Sequence, residues 1–208
     1  MHPRTGALLT IAVGLGGLAL AASAQQQRLS SFRVAPPAAG QSQAMAIDWP
    51  AAGRQARSPI NERGRSVNAK FLAANQAAIN QISIPVLLPG DPDLAANLRI
   101  FPNGAFYTLG STSNGMAFVL TGAGRAFPLS KAAAAGLPGG DLKSRIPPDG
   151  IVIDGGEAGI NASFSRFGAS YSISLECAQP QTDPRCISPG YVKGVIARLM
   201  VVTPGGPK

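Results

Sequence analysis

Histidine is nearly missing from this chain: of 208 residues the only one is His2. It falls in an N-terminal stretch that reads as a secretory signal, so the exported chain is expected to hold no imidazole. That excludes a Ser-His-Asp or Cys-His nucleophile, histidine-ligated zinc and the commonest general base. Cysteine is scarce as well, with Cys177 and Cys186 only. A C-x8-C pair without further ligands is a poor metal site, and it lacks the C-x-x-C spacing of a redox motif. The pair is therefore predicted to be a structural disulfide closing a short loop in an oxidising compartment. Charged residues make up 13% of the chain and aromatics 6%. Beyond the N-terminal stretch, no run is long and apolar enough to span a membrane.

What is present begins with that signal. Arg4 gives a positive start, an apolar run extends from Ala7 to Ala22, and Ala22-Ser23-Ala24 matches a small-x-small cleavage site. Cleavage is expected after Ala24. A membrane anchor is the competing reading, but the run is short for the roughly 20 residues a spanning helix needs. No cysteine follows it directly, which argues against a lipoprotein. The expected destination is the periplasm or the medium.

The formal charge is +8. Much of the excess lies between Gln25 and Arg65, where arginines 28, 33, 54, 57, 63 and 65 face only Asp48 and Glu62. These arginines are scattered among few aromatics, unlike the basic-aromatic platforms that bind single strands. No nucleic-acid partner is expected. Few large apolar residues occur between 25 and 64, and such a segment cannot offset its ordering entropy. It reads as a flexible basic leader drawn to anionic envelope polymers, with Trp49 either docked on the domain or exposed.

Order is expected from residue 65 to 202. Ser66 reads as an N-cap for a helix carrying Val67, Phe71, Ala74, Ala78 and Ile82 at helical spacing, ending before Pro85. Residues 84–88 (IPVLL) read as a short strand. A meander follows, with strands at 97–101 and 105–110 flanking Pro102-Asn103-Gly104, and Asn114-Gly115 leading into 116–121. Asn-Gly is a strong hairpin signal because both turn residues take positive φ. A further strand is expected at 125–129. Ser130 then caps a short helix at 131–135, and glycines and prolines from 136 to 150 form a long connection.

The last third is the most clearly patterned. Ile160, Ala162 and Phe164 alternate along one strand, and Tyr171, Ile173, Leu175 and Cys177 along the next, with the turn at Arg166-Phe167-Gly168. Ser188-Pro189 opens a helix to about Met200 whose stripe is Val192, Val195, Ile196 and Leu199. The disulfide would fasten the strand end to the helix start. The tail 203–208 is expected to be disordered.

Phe164, Gly168, Tyr171, Ile173, Leu175, Tyr191, Ile196 and Leu199 form a hairpin with G-x-x-Y-x-[small]-x-[apolar], then a loop and a closing helix. Over these fifty residues the chain resembles certain exported bacterial domains, some of them attached to anti-sigma factors. The resemblance implies a fold rather than an activity. The chain departs from it by its cysteine pair and by lacking a cytoplasmic sigma-binding region.

Other constellations reduce to ordinary structure. Asp91 and Asp93 are two oxygen donors where calcium needs four or five at regular spacing, and they read as turn residues. Asp154 and Glu157 read as a turn between strands. Ser130-Lys131 is better explained as a helix cap than as a nucleophile pair. Neither Gly122-x-Gly124 nor Gly139-Gly140 has the form of a phosphate loop. Among Phe101, Phe106, Tyr107, Phe118 and Phe127, Phe106 and Phe118 are expected inside, and Tyr107 is the candidate exposed binding aromatic.

These readings converge on a single α+β domain with a mostly antiparallel sheet and two longer helices on one face. The expected function is that of an exported non-catalytic module, without cofactor or metal, that binds a protein or envelope polymer. The alternatives from the same residues are a hydrolase working through carboxylates alone and a purely structural envelope component.

Overall fold

A computed structural model describes residues 42–126 and 147–204. The signal with its cleavage site, the first part of the leader, Phe127, the Ser130 helix, Gly139-Gly140 and the end of the tail lie outside the described residues. No helix among the described residues is long and apolar enough to cross a membrane.

From residue 42 the chain forms β1 (Gln43–Ala44) and then α1 (Trp49–Ala56), α2 (Pro59–Val67) and α3 (Ala69–Ile79). Where composition predicts a flexible leader up to residue 64, α1 and most of α2 are formed. Their starts are specified locally. Asp48 accepts the Ala51 N–H at 2.8 Å, with Pro50 in the first turn, and Ser58 accepts the Asn61 N–H at 3.4 Å ahead of Pro59. Their buried residues are Ala52, Ala56, Asn61 and Gly64, so a search for large apolar groups finds nothing to bury. Ser66, expected as an N-cap, lies inside α2, and its hydroxyl donates to the Glu62 carbonyl. Asn68 separates α2 from α3, which ends at Ile79 well short of Pro85. In α3 the inward residue is Ile79, with Phe71, Leu72 and Ala78 partly buried, while Ala74 is exposed.

β2 (Val86–Leu88) and the one-turn α4 (Pro92–Ala95) lead into a meander of β3 (Arg99–Asn103), β4 (Phe106–Ser113) and β5 (Met116–Ala123). Its second turn has positive φ at both Asn114 and Gly115, as a two-residue hairpin requires. Its first turn is Gly104-Ala105. Pro102 and Asn103 stay in β3, an edge strand, which is where a sheet tolerates proline. β6 (Arg125–Ala126) pairs with β1.

The second meander is β7 (Val152–Gly155), β8 (Gly159–Arg166) and β9 (Ala169–Cys177). Its tight turn places Phe167 and Gly168 at positive φ. A Cβ on Gly168 would lie 2.0 Å from the Ala46 carbonyl oxygen, so the turn is closely covered by the strand-to-helix segment before α1. There the Asp48 N–H donates to the Phe167 carbonyl at 2.9 Å. The chain closes with α5 (Pro184–Ile187), α6 (Pro189–Ala197) and β10 (Met200–Val202). Cys177, the last residue of β9, is disulfide-bonded to Cys186 in α5. Val192, Val195, Ile196 and Leu199 are buried, as their spacing implies. The final helix stops at Ala197 rather than Met200, because Met200–Val202 pairs with β2.

The two meanders join along β5 and β9 into one six-stranded antiparallel sheet, order β3-β4-β5-β9-β8-β7. One face holds Tyr107, Leu109, Phe118, Leu120, Ile160, Phe164, Tyr171, Ile173 and Leu175. Against it lies the β2–β10 ribbon. Leu87 N–H donates to the Tyr107 hydroxyl and the Tyr171 hydroxyl donates to the Pro85 carbonyl, both at 2.8 Å. On its other side the ribbon meets α1 and α2. The side-chain amide of Asn61 covers its free edge, accepting the Val201 N–H at 2.6 Å and donating to the Val201 carbonyl at 3.0 Å. A Cβ on Gly64 would sit 2.7 Å from Met200 Cβ, so glycine sets the approach of α2. Residues covered on both sides must be continuously apolar, which accounts for the fully buried Val86, Leu87 and Leu88. The fold is α+β, with two small sheets beside the large one. Its helices are several and short, α3 being the longest described at eleven residues, rather than two long ones.

Candidate binding surface

The carboxylates marked out in the sequence do not converge. Asp91 caps α4 through the Asp93 N–H at 3.0 Å and stands 3.7 Å from Arg198, while Asp93 is exposed. Asp154 lies on β7 opposite Asn161, and Glu157 is in the following turn; both are exposed. Among the described residues no group of three His, Cys, Asp or Glu side chains comes together. Of three surface hollows, one is lined by Glu176 alone among acids and the other two by none. Gly122 and Gly124 are packing glycines. A Cβ would fall 2.4 Å from the Tyr107 ring in one case and 2.4 Å from Ile84 in the other.

Tyr107, expected to be exposed, is fully buried, and Phe106, expected inside, is 42% exposed. The two are adjacent on β4 and must point to opposite faces, so only one can enter the core. Tyr107 wins for two reasons. Gly122 sits directly opposite and leaves space for its ring, and its hydroxyl satisfies the otherwise unpaired Leu87 N–H. Gly122 lies between two tyrosines, with Tyr171 on its other side in register and Phe164 beyond. The Phe164 and Tyr171 rings stack at 5.6 Å, and the Arg166 guanidinium lies 5.5 Å from the Phe164 centroid. Burial holds the Tyr107 hydroxyl well above its usual range, with neighbouring Tyr171 adding to the effect. Burial raises Tyr171 too, against the opposing charge of Arg166. Neither phenol is available as an acid or base. Phe118 is buried, as expected.

The other face of the sheet is open, and its chemistry is unusual. Across β4, β5, β9 and β8, one row reads Phe106, Ala123, Ser170, Ser165 and the next Thr108, Thr121, Ser172, Ser163. A third row reads Gly110, Val119, Ser174, Asn161. None of these twelve side chains is ionisable, while the third row ends in exposed Arg99 on β3 and Asp154 on β7, and exposed Glu176 stands in the row beyond it. Thr121 and Ser172 share a hydrogen bond at 2.6 Å between their hydroxyls. A trough of about 570 Å³ crosses the β5, β9 and β8 part of this face and ends against Gly150 and Val152. At the other side stands Phe101, 61% exposed, opposite Thr108 and diagonal to Phe106. Two bare phenyl rings thus border a pavement of hydroxyls. The signal for it was in the sequence, in Ser170-x-Ser172-x-Ser174 and Asn161-x-Ser163-x-Ser165. These residues alternate with the apolar ones whose pattern defines the strands, and small polar residues at such positions are the ordinary outer face of a half-buried strand.

The loop after β9 is held by its own pair. Arg185 hydrogen-bonds the Asp183 carboxylate and holds it down to about pKa 2. The same guanidinium donates to the Asn114 carbonyl at 2.9 Å, tying the disulfide loop to the Asn-Gly turn. Set beside known proteins, the chain matches no family model, no curated protein and no solved structure.

Proposed function

We propose that this is an exported, non-catalytic binding module that holds a neutral, hydroxyl-rich polymer, an envelope glycan, on the open face of its sheet. The observation that carries this reading is the pairing of exposed Phe101 and Phe106 with uncharged rows of Ser and Thr. A hydroxyl both donates and accepts, so such rows fit a partner whose own groups are hydroxyls. Phenyl rings left bare beside them suit the apolar C–H faces of sugar rings. Charges stand only at the margins of this face, at Arg99 on β3, Asp154 on β7 and Glu176 near the end of β9, so its hydroxyl-lined middle gives little preference for an ionic partner. The disulfide accords with an oxidising compartment. The scattered carboxylates leave a hydrolase reading without support, since hydrolysis of a glycosidic bond needs two of them about 5–10 Å apart around one site.

The test is co-sedimentation of the full chain with insoluble glycans, namely cell-wall sacculi, chitin and cellulose. Binding is expected to at least one, and the Phe101→Ala/Phe106→Ala double variant should lose it while melting at the same temperature. A double variant that binds as well as the parent would remove the open face from consideration.

A further inference from the structure

The side of the domain opposite the open sheet face has the reverse chemistry. Between Asp48 and Lys70 the chain holds five cations (Arg54, Arg57, Arg63, Arg65, Lys70) against two acids, Asp48 and Glu62. All other described residues together hold six cations against seven acids. The positive excess of the described residues is therefore concentrated in one helical segment. None of the three ion pairs among the described residues involves any of those five cations.

Geometry turns this composition into a surface. α1 buries Ala52 and Ala56, α2 buries Asn61 and Gly64, and both pack those sides on β10. Gln55 on α1 reaches the Leu199 carbonyl just before the strand, and Asn61 on α2 binds Val201 within it. The sides turned away from β10 carry exposed Arg54, Arg57 and Arg63. A Cβ built on Gly53 meets no atom within 4 Å, so α1 has open space at that position. The same segment leaves two large apolar residues exposed, Trp49 at the first position of α1 at 39% and Ile60 in the first turn of α2 at 45%.

We infer that the outer side of α1 and α2 docks on an anionic lipid bilayer. Cations alone would serve any polyanion. The commitment to a bilayer rests on Trp49 and Ile60, because a membrane surface takes both arginines at the headgroups and a tryptophan at the interface. A soluble polyanion offers nothing to bury them in. Anionic lipid attracts each nearby Lys or Arg by about 1 kcal/mol, so three arginines raise partitioning on the order of a hundredfold. The inference is independent of the glycan reading, which concerns the opposite side of the sheet.

Trp49 is the only tryptophan in the chain, so its fluorescence reports this surface alone. The full chain is titrated with vesicles of phosphatidylcholine containing one-fifth phosphatidylglycerol, and with pure phosphatidylcholine. Emission is expected to shift to the blue with the anionic vesicles only, and the shift should fade as salt is raised. Arg54→Gln/Arg57→Gln/Arg63→Gln should weaken partitioning on the order of a hundredfold. Ile60→Ser should weaken it less, with Trp49 kept as reporter in both variants. All variants carry the same apolar stretch at residues 7–22, so insertion through that stretch would be equal in parent and variants. An equal shift with both vesicle types, or an unchanged affinity in the triple variant, would overturn the inference. So would binding to heparin without binding to anionic vesicles. Circular dichroism matching the parent confirms that the variants fold, as expected for side chains that are exposed and make no ion pair among the described residues.

Discussion

The two faces of the six-stranded sheet are built from the same strands in strict alternation, yet they share almost no chemistry. On the inner face every large residue is covered, from Tyr107 and Phe118 to Tyr171 and Leu175. On the outer face, small hydroxyl residues lie open beside two bare phenyl rings. Each β4 or β9 residue changes role with each step along the strand. The difference teaches that stability and recognition are divided by parity here rather than by region. A one-residue register slip would exchange the two faces entirely.

Deleting the same phenyl group on each face is the sharpest test of that division. Phe118→Ala leaves a cavity in the packed side and should cost about 3–5 kcal/mol in urea unfolding. A cost below about 1 kcal/mol would mean that the inner face is not the core. A smaller effect belongs to the tyrosines that join the inner face to the ribbon. Tyr107→Phe leaves the buried Leu87 N–H without its acceptor, worth about 1–3 kcal/mol. The same tyrosines set an alkaline limit. Burial keeps the folded pKa of Tyr107 and Tyr171 above the usual value near 10 that the unfolded chain would show. Their contribution is therefore complete below pH 10 and is lost as pH rises beyond it. In absorbance titration at alkaline pH, Tyr191 should ionise while the fold persists, and the other two only as the chain unfolds. Smallest of all is Phe101→Ala on the open face, expected to change stability by less than about 0.5 kcal/mol. A large loss there would show that the ring is covered after all, and the comparison would fail.

Local patterns in the sequence carried most of the sheet. Asn114-Gly115 and Phe167-Gly168 mark turns, and the alternation from Ile160 to Cys177 marks strands whose inner residues are those found buried. The helices α1 and α2 were not legible through composition, since what they bury is alanine, glycine and asparagine. Their starts were written nonetheless, in Asp48 followed by Pro50 and in Ser58-Pro59, as in Asp91-Pro92 and Asp183-Pro184. β10 has no strand signal of its own, because Met200–Val202 continues the apolar run of α6 and only its partner β2 makes it a strand. As for the candidate surface, the hydroxyl rows were visible as strand residues, but not that they would align across four strands.

From its residues alone this chain determined that it has a single histidine, that its two cysteines are neighbours fit to pair, and where its hairpins turn. Those are matters of residue type and of backbone preference over a few positions. Tertiary structure decided which of Phe106 and Tyr107 enters the core, that β2 and β10 meet, and that Arg54, Arg57 and Arg63 look away from the sheet. Each of these depends on what stands opposite, a glycine, a free strand edge or a packed strand, and that is settled only when distant segments close on one another.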